Sequence, residues 1–161
     1  MADIKNSLMT GMYFGSTSGV ITTLGLMVGL HSGTHSEIAV IGGIITIAIA
    51  DAFSDALGIH ISEESKTTFT TREVWEATAM TFVSKLLVAL TFLIPVLLFP
   101  LLTAILVGIC WGLSLLCFLS YMLAKRSGGN TFRVVLEHLL IALGVIIITH
   151  YVGDWIARTF C

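Results

Sequence analysis

The sequence is poor in charged residues and in residues that interrupt a helix. Only 11% of its 161 residues are charged, against about 25% in a typical soluble domain, and only two are proline. Its net charge of −2 provides no basic surface of the kind that binds nucleic acid. The three cysteines are an odd number, and two of them lie in an apolar run, so no disulfide framework is implied. These absences exclude a nucleic-acid-binding protein and argue against a soluble or disulfide-stabilised domain.

Long hydrophobic runs dominate what is present. Hydrophobic residues make up 56% of the chain, and the mean hydropathy is +0.98. Windows of about 19 residues predict an all-α protein with five transmembrane helices in one membrane domain, residues 1–161, embedded in a lipid bilayer. The predicted spans cover about residues 8–30, 38–61, 74–98, 101–124 and 132–156.

The positive charges indicate an orientation. All but two of the Lys and Arg residues fall on one side of a five-span path, and the positive-inside rule places that side in the cytoplasm. We therefore expect a cytoplasmic N-terminus and a C-terminus on the opposite side, with Arg158 as the exception outside the apolar runs. The residues that decide this are Lys5, Lys66, Arg72, Lys125, Arg126 and Arg133.

Two aspartates lie inside the second apolar run. Asp51 and Asp55 are spaced i, i+4 and share one helical face, with Ser54 beside them. A charge at membrane depth is costly, so these carboxylates are a functional-site hypothesis by default. Their hard oxygen ligands suit magnesium, manganese, calcium or ferrous iron better than copper. Two alternatives remain: local pairing, for instance with Lys85, the one cation deep in the apolar region, or proton binding by an aspartate.

A second acidic group lies at the cytoplasmic end of the same run. His60, Glu63 and Glu64 offer an imidazole and two carboxylates within about one helical turn. They are candidate metal ligands that collect a cation before it reaches Asp55. The alternative interpretation is an ordinary solvated helix end.

The first span carries a stripe of small residues at spacings of three and four. Small side chains let helix backbones approach closely in lipid. The stripe indicates packing within one subunit or a symmetric dimer contact, and a polar pathway lined by Ser18 and Thr22 is compatible with either. Its members are Gly11, Gly15, Ser18, Thr22, Gly25 and Gly29.

Several segments resemble the vacuolar iron transporter family. They are residues 15–23 (GSTSGVITT), residues 52–62 (AFSDALGIHIS), residues 92–95 (FLIP) and the last-span segment THYVG at residues 149–153. The resemblance implies five membrane helices per subunit, a homodimer, and export of Fe²⁺ or Mn²⁺ from the cytoplasm in exchange for protons. The sequence differs from the family at its metal ligands. Ser18 stands where the family has an aspartate, and Asp55 stands where a methionine is usual.

These observations lead to one expected function and its alternatives. We expect a membrane transporter that exports a divalent metal cation, which is its substrate, with no organic cofactor. A non-transporting membrane module with a structural cation site or partner interface is the main alternative, and a passive pore is the third. The sequence carries no phosphate loop, nucleophile triad, zinc signature or haem motif, so we do not expect an enzyme.

Overall fold

The structure, a computed structural model, describes residues 2–66 and 70–160, with side chains from Ser7 onward. Its described elements are all α-helices, and five stretches are long and apolar enough to cross a membrane. The predicted all-α, five-span fold is confirmed. Lys5 and Cys161, used above for orientation and cysteine count, lie outside the described side chains. The helices are α1 (Ala2–Thr34), α2 (Glu37–Glu64), α3 (Thr71–Thr91), α4 (Leu93–Leu98), α5 (Leu101–Ser127) and α6 (Thr131–Phe160).

A short turn joins α1 to α2. His35 adopts a left-handed conformation with φ of 50°, and its N–H donates to the carbonyl of His31 at 2.9 Å. Ser36 follows as the N-cap of α2, where its Oγ accepts a hydrogen bond from the Ala39 N–H at 3.3 Å. The turn thus satisfies backbone groups that both helix ends leave without an intrahelical partner.

A capping box starts α3. The Thr70 N–H donates to Glu73 Oε2 at 2.8 Å, and the Glu73 N–H donates to Thr70 Oγ1 at 3.4 Å. Each side chain satisfies an amide that the first helical turn leaves open. This start places Lys85 about four turns into the helix, well inside the membrane-spanning segment.

The third span is interrupted, whereas the sequence predicts it as continuous. It divides into α3 and α4 at Phe92, because Pro95 has no N–H to donate to the carbonyl one turn earlier. Phe99 then takes an extended conformation, as expected for a residue before proline. Pro100 is the N-cap residue of α5, and Gly128, with φ of 69°, ends that helix in a left-handed conformation.

Helix α1 lies at the centre of the bundle and packs on α2, α3, α5 and α6. Within its most apolar window 56% of the residues are buried, against 6% for α6. Its large apolar side chains pack into one core with residues of α2, α4, α5 and the α3–α4 junction. Fully buried members include Val20, Leu24, Met27, Ile44, Phe92, Val96 and Leu116.

The small-residue stripe of α1 is covered by helices of the same chain. A Cβ at Gly15 would collide with the Thr81 carbonyl and the Ser84 hydroxyl of α3, and Gly11 meets α3 one turn earlier. At the other end, a Cβ at Gly25 would lie 2.7 Å from Val145 of α6. Packing within the subunit therefore accounts for the glycines. A dimer contact through Gly15 is wrong because α3 already occupies that surface. A dimer contact near Gly25, which packs on α6 on one side only, stays a prediction.

Candidate cation site

A lysine side chain joins three helices near the middle of the membrane-spanning region. Lys85 of α3 is only 1% exposed, and its Nζ lies 2.6 Å from Asp51 Oδ2 and in still closer contact with Asp55 Oδ2. Ser18 of α1 completes the group, because its Oγ donates to Asp55 Oδ2 at 2.6 Å and accepts from Lys85 Nζ at 2.9 Å. The structure thus brings together two predicted ligands, one predicted pathway residue and the lysine that the sequence offered only as an alternative partner.

Helix geometry and small residues create this meeting point. The i, i+4 spacing directs Asp51 and Asp55 to the same side of α2. On α1, a Cβ at Gly19 would lie 3.2 Å from the Lys85 carbonyl and 3.3 Å from its Cγ. The absence of a side chain at Gly19 therefore lets the lysine stem pass directly against the α1 backbone and reach both carboxylates.

The group has one negative charge in excess. Two carboxylates and one ammonium sum to −1 when all three are ionised. The side chains of Asp51 and Asp55 are 22% and 19% exposed, so the acidic side of the group is also its open side. Asp51 Oδ2 lies close to Lys85 Nζ, but the angle of this contact does not allow a hydrogen bond. Among the described residues, this buried oxygen has no hydrogen-bond partner. The arrangement can accept a further positive charge, and a metal ion at its centre would have to displace Lys85 Nζ.

Ser54 does not join this group. It lies on an exposed part of α2, about 100° around the helix from Asp55, whereas Ser18 supplies the hydroxyl next to the carboxylates. The prediction of Ser54 as a ligand beside the aspartates is therefore wrong in this structure. Adjacent residues on a helix point in different directions, and the sequence alone does not show that α1 provides the hydroxyl.

The predicted collecting cluster at the end of α2 is also not formed. His60 Nδ1 is hydrogen-bonded to Thr78 Oγ1 at 3.0 Å. Glu63 is buried and pairs with Lys66 at 2.7 Å, whereas Glu64 is 72% exposed with Oε2 4.0 Å from His60 Nε2. Residues 2–66 and 70–160 contain no group of three or more His, Cys, Asp or Glu side chains that could hold a metal ion. The geometry fits the alternative interpretation, an ordinary helix end.

A groove begins about one helical turn from the charged group and extends toward the α1–α2 turn. It has a volume of about 540 Å³ and is lined by α1, α2 and α6. Ile47 and Thr22 line it, each one helical turn beyond Asp51 and Ser18, respectively. The predicted pathway residues therefore take different places: Ser18 belongs to the charged group and Thr22 borders the groove.

A second polar contact lies beside this groove, near the α1–α2 turn. Ser32 Oγ and His150 Nδ1 are 2.6 Å apart, and the rings of His31 and His35 are centred 5.3 Å from each other. Two residues thus take a larger part in the polar contacts than the sequence indicates: Lys85 in the middle of the bundle and Ser32 near the α1–α2 turn. A single lysine within an apolar span was the available signal for Lys85, whereas nothing in the sequence distinguishes Ser32 from other small residues.

Comparison of the chain with family models, with curated proteins and with solved structures found no match. The resemblance described above therefore remains a prediction from individual residues.

Proposed function

We propose that the protein is a membrane transporter that moves a divalent cation of the Fe²⁺ or Mn²⁺ class out of the cytoplasm, in exchange for protons. One observation carries the proposal: Asp51 and Asp55 hold a cationic group, the Lys85 ammonium, within the apolar part of the bundle. Carboxylates at membrane depth are rare, and they characteristically mark ion pathways.

Lys85 has a defined part in the proposal. Cation entry displaces its ammonium from the carboxylates, and cation release lets the ammonium return. The two carboxylates thus keep a positive partner in both states, which avoids the cost of bare charge in a low-dielectric region. Carboxylate and hydroxyl oxygens are hard ligands, which favours Mn²⁺, Mg²⁺ or Fe²⁺ over softer ions.

A groove near the site offers the cation a path toward one side of the membrane. The groove along α1 begins one turn beyond Asp51 and Ser18 and reaches Gly29 and Leu30, near the end of α1. The basic side of the bundle is the cytoplasmic side in this proposal, so the groove leads outward. Because its walls are mostly apolar, the groove needs water or a second subunit to complete a polar path.

We also propose that the protein is a homodimer. Its contact surface lies on α2 in this proposal, and not on α1. An exposed face of α2 carries small residues four apart, and a Cβ at Gly42 or Gly58 would meet nothing within 4 Å. Close packing of two copies on this face would set Asp51 near its symmetry mate. Cysteines at Ser54 should then crosslink between subunits more readily than cysteines at Ser18. Members of this face include Thr46, Ala50, Ser54 and Ser62.

Transport into proteoliposomes tests the main proposal. The double variant Asp51→Asn, Asp55→Asn keeps the side-chain shapes and removes both charges, and we expect it to abolish Mn²⁺ and Fe²⁺ uptake. Because it leaves the buried Lys85 ammonium without its carboxylates, size-exclusion chromatography first checks that it is folded, and Lys85→Met is added where it is not. Glu64→Gln is the matched control, because Glu64 is an exposed carboxylate on the same helix. Uptake by the double variant at the wild-type rate would overturn the proposal.

A non-transporting membrane module is the second candidate, and the position of Lys85 favours it. In this candidate, the Lys85 ammonium fixes α3 against α2 and is not displaced by any cation. In that case divalent cations should not raise the thermal stability of the wild-type protein, whereas a bound substrate stabilises it by mass action. Thermal unfolding with Mn²⁺, Fe²⁺, Mg²⁺ and Ca²⁺ separates the two candidates before any transport assay.

A further inference from the structure

A cavity at the basic end of the bundle has walls that suit an anion with an apolar tail. It measures about 450 Å³ and lies between α1, α5 and α6, within the usual size range of ligand sites, about 300–1,000 Å³. Its apolar surface includes Phe14 and Leu123, and its polar surface includes Tyr13, Thr17, Arg126 and His138. Phe14 is 41% exposed, so the cavity is open toward the surroundings of the helices.

One basic residue, Arg126, lines this cavity, and two more, Lys125 and Arg133, lie at the same α5–α6 turn outside the lining. Glu137 of α6 is paired with Arg133 at 2.8 Å. The ring of His138 is fixed in the cavity wall by a hydrogen bond between its Nδ1 and Ser120 Oγ at 2.7 Å. A lining whose described residues include an arginine and no carboxylate favours an anion over a metal cation.

We propose that this cavity binds the headgroup of an anionic phospholipid from the leaflet at the basic end of the bundle. Basic pockets between membrane helices at that level are typical sites for such headgroups. Arg126 contacts the phosphate, His138 adds a hydrogen-bonding group, and an acyl chain follows Phe14 and Leu123 toward the bilayer. This proposal does not depend on cation transport, since the residues of the charged group at Lys85 take no part in it.

Native mass spectrometry and thermal unfolding of the detergent-solubilised protein test the site. Dioleoyl phosphatidylglycerol is the probe, dioleoyl phosphatidylcholine has the same acyl chains without net charge, and inorganic phosphate provides the anion without a lipid. We expect one phosphatidylglycerol molecule to be retained, with stabilisation that phosphatidylcholine and phosphate do not reproduce. Equal retention of phosphatidylcholine, or equal stabilisation by inorganic phosphate, would overturn the proposal.

Two arginines of the same turn provide a matched comparison. Arg126→Gln should lower phosphatidylglycerol retention about fivefold, the usual effect of one basic side chain near a membrane surface. Arg133→Gln should leave it unchanged, because Arg133 lies outside the cavity lining and is paired with Glu137. Equal losses in the two variants would indicate diffuse attraction to a basic surface and overturn the site.

Leu123→Trp is a second variant that tests the same cavity if Arg126→Gln does not fold. The larger side chain fills the apolar part of the cavity and should reduce lipid retention while Arg126 remains. A change in oligomeric state with unaltered lipid retention would assign the cavity to a second copy of the chain instead. Wild-type retention in a folded, cavity-filled variant without such a change would likewise contradict the proposal.

Discussion

Two acidic groups on α2 behave differently. Asp51 and Asp55, four residues apart, converge on the buried Lys85, whereas Glu63 and Glu64, adjacent in sequence, diverge. Glu63 pairs with Lys66 in the buried part of the helix end, and Glu64 is 72% exposed. The number of carboxylates is the same in both groups. Their spacing and depth decide whether they form one shared site or two separate contacts.

Removal of the buried Lys85 ammonium should have the largest effect on the free energy of unfolding. Lys85→Met leaves two carboxylates without a partner, and breaking a buried pair in this way costs about 3–5 kcal/mol. Combining it with Asp51→Asn and Asp55→Asn should restore most of that loss. Equilibrium unfolding in detergent measures both changes. Lys66→Met is the shallow control. It also takes this partner from a buried carboxylate, Glu63, but Lys66 is half exposed and water can replace its ammonium, so we expect a smaller loss than for Lys85→Met. Equal losses in the two lysine variants would remove the distinction between the groups.

The close approach of α1 to α3 should make the glycines between these helices sensitive to substitution. Gly15→Ala forces a side chain against the Thr81 carbonyl and Ser84 hydroxyl, an overpacking that costs about 1–3 kcal/mol. Gly144→Ala, on α6 with open space around its Cβ, should be neutral or stabilising by up to about 1 kcal/mol. Thermal unfolding of the two variants checks this difference, and a destabilised Gly144→Ala beside an unaffected Gly15→Ala would reverse it.

The hydroxyl of Ser18 should make a smaller contribution to the free energy of unfolding. Ser18→Ala removes the donor to Asp55 and should cost about 1 kcal/mol, the usual size of one hydrogen bond. Ser54→Ala should lie within about 0.5 kcal/mol of wild type, because Ser54 is exposed and stands outside the group. The same unfolding assay compares them. A larger effect at Ser54 than at Ser18 would mean that α2, rather than α1, supplies the functional hydroxyl.

The smallest expected effect is a change in metal preference. Asp55→Met replaces a hard carboxylate by a soft thioether, and should move selectivity from Mn²⁺ toward Fe²⁺ by a few-fold. Competition between the two ions in the transport assay measures the ratio. An unchanged order of preference would show that Asp55 does not act as the selectivity filter.

Much of the fold is predictable from the sequence because each span is a local property. A run of apolar residues must satisfy its backbone hydrogen bonds internally in lipid, so five runs predict five helices. The break at Phe92 was missed because Pro95 affects the carbonyl one turn before it, inside the predicted span. The helices also extend beyond the apolar runs, since capping residues such as Ser36 and Thr70 set their ends.

The candidate cation site, like the fold, was only partly predictable from the sequence. Helix periodicity is enough to predict that Asp51 and Asp55 share a face at membrane depth, because it fixes the directions of residues four apart. The packing of the helices places Lys85 between them and makes Ser18, rather than Ser54, the source of the hydroxyl. Those contacts depend on how α1 and α3 are rotated against α2. Glycines at the contact between α1 and α3 set that rotation, through packing between residues far apart in the chain.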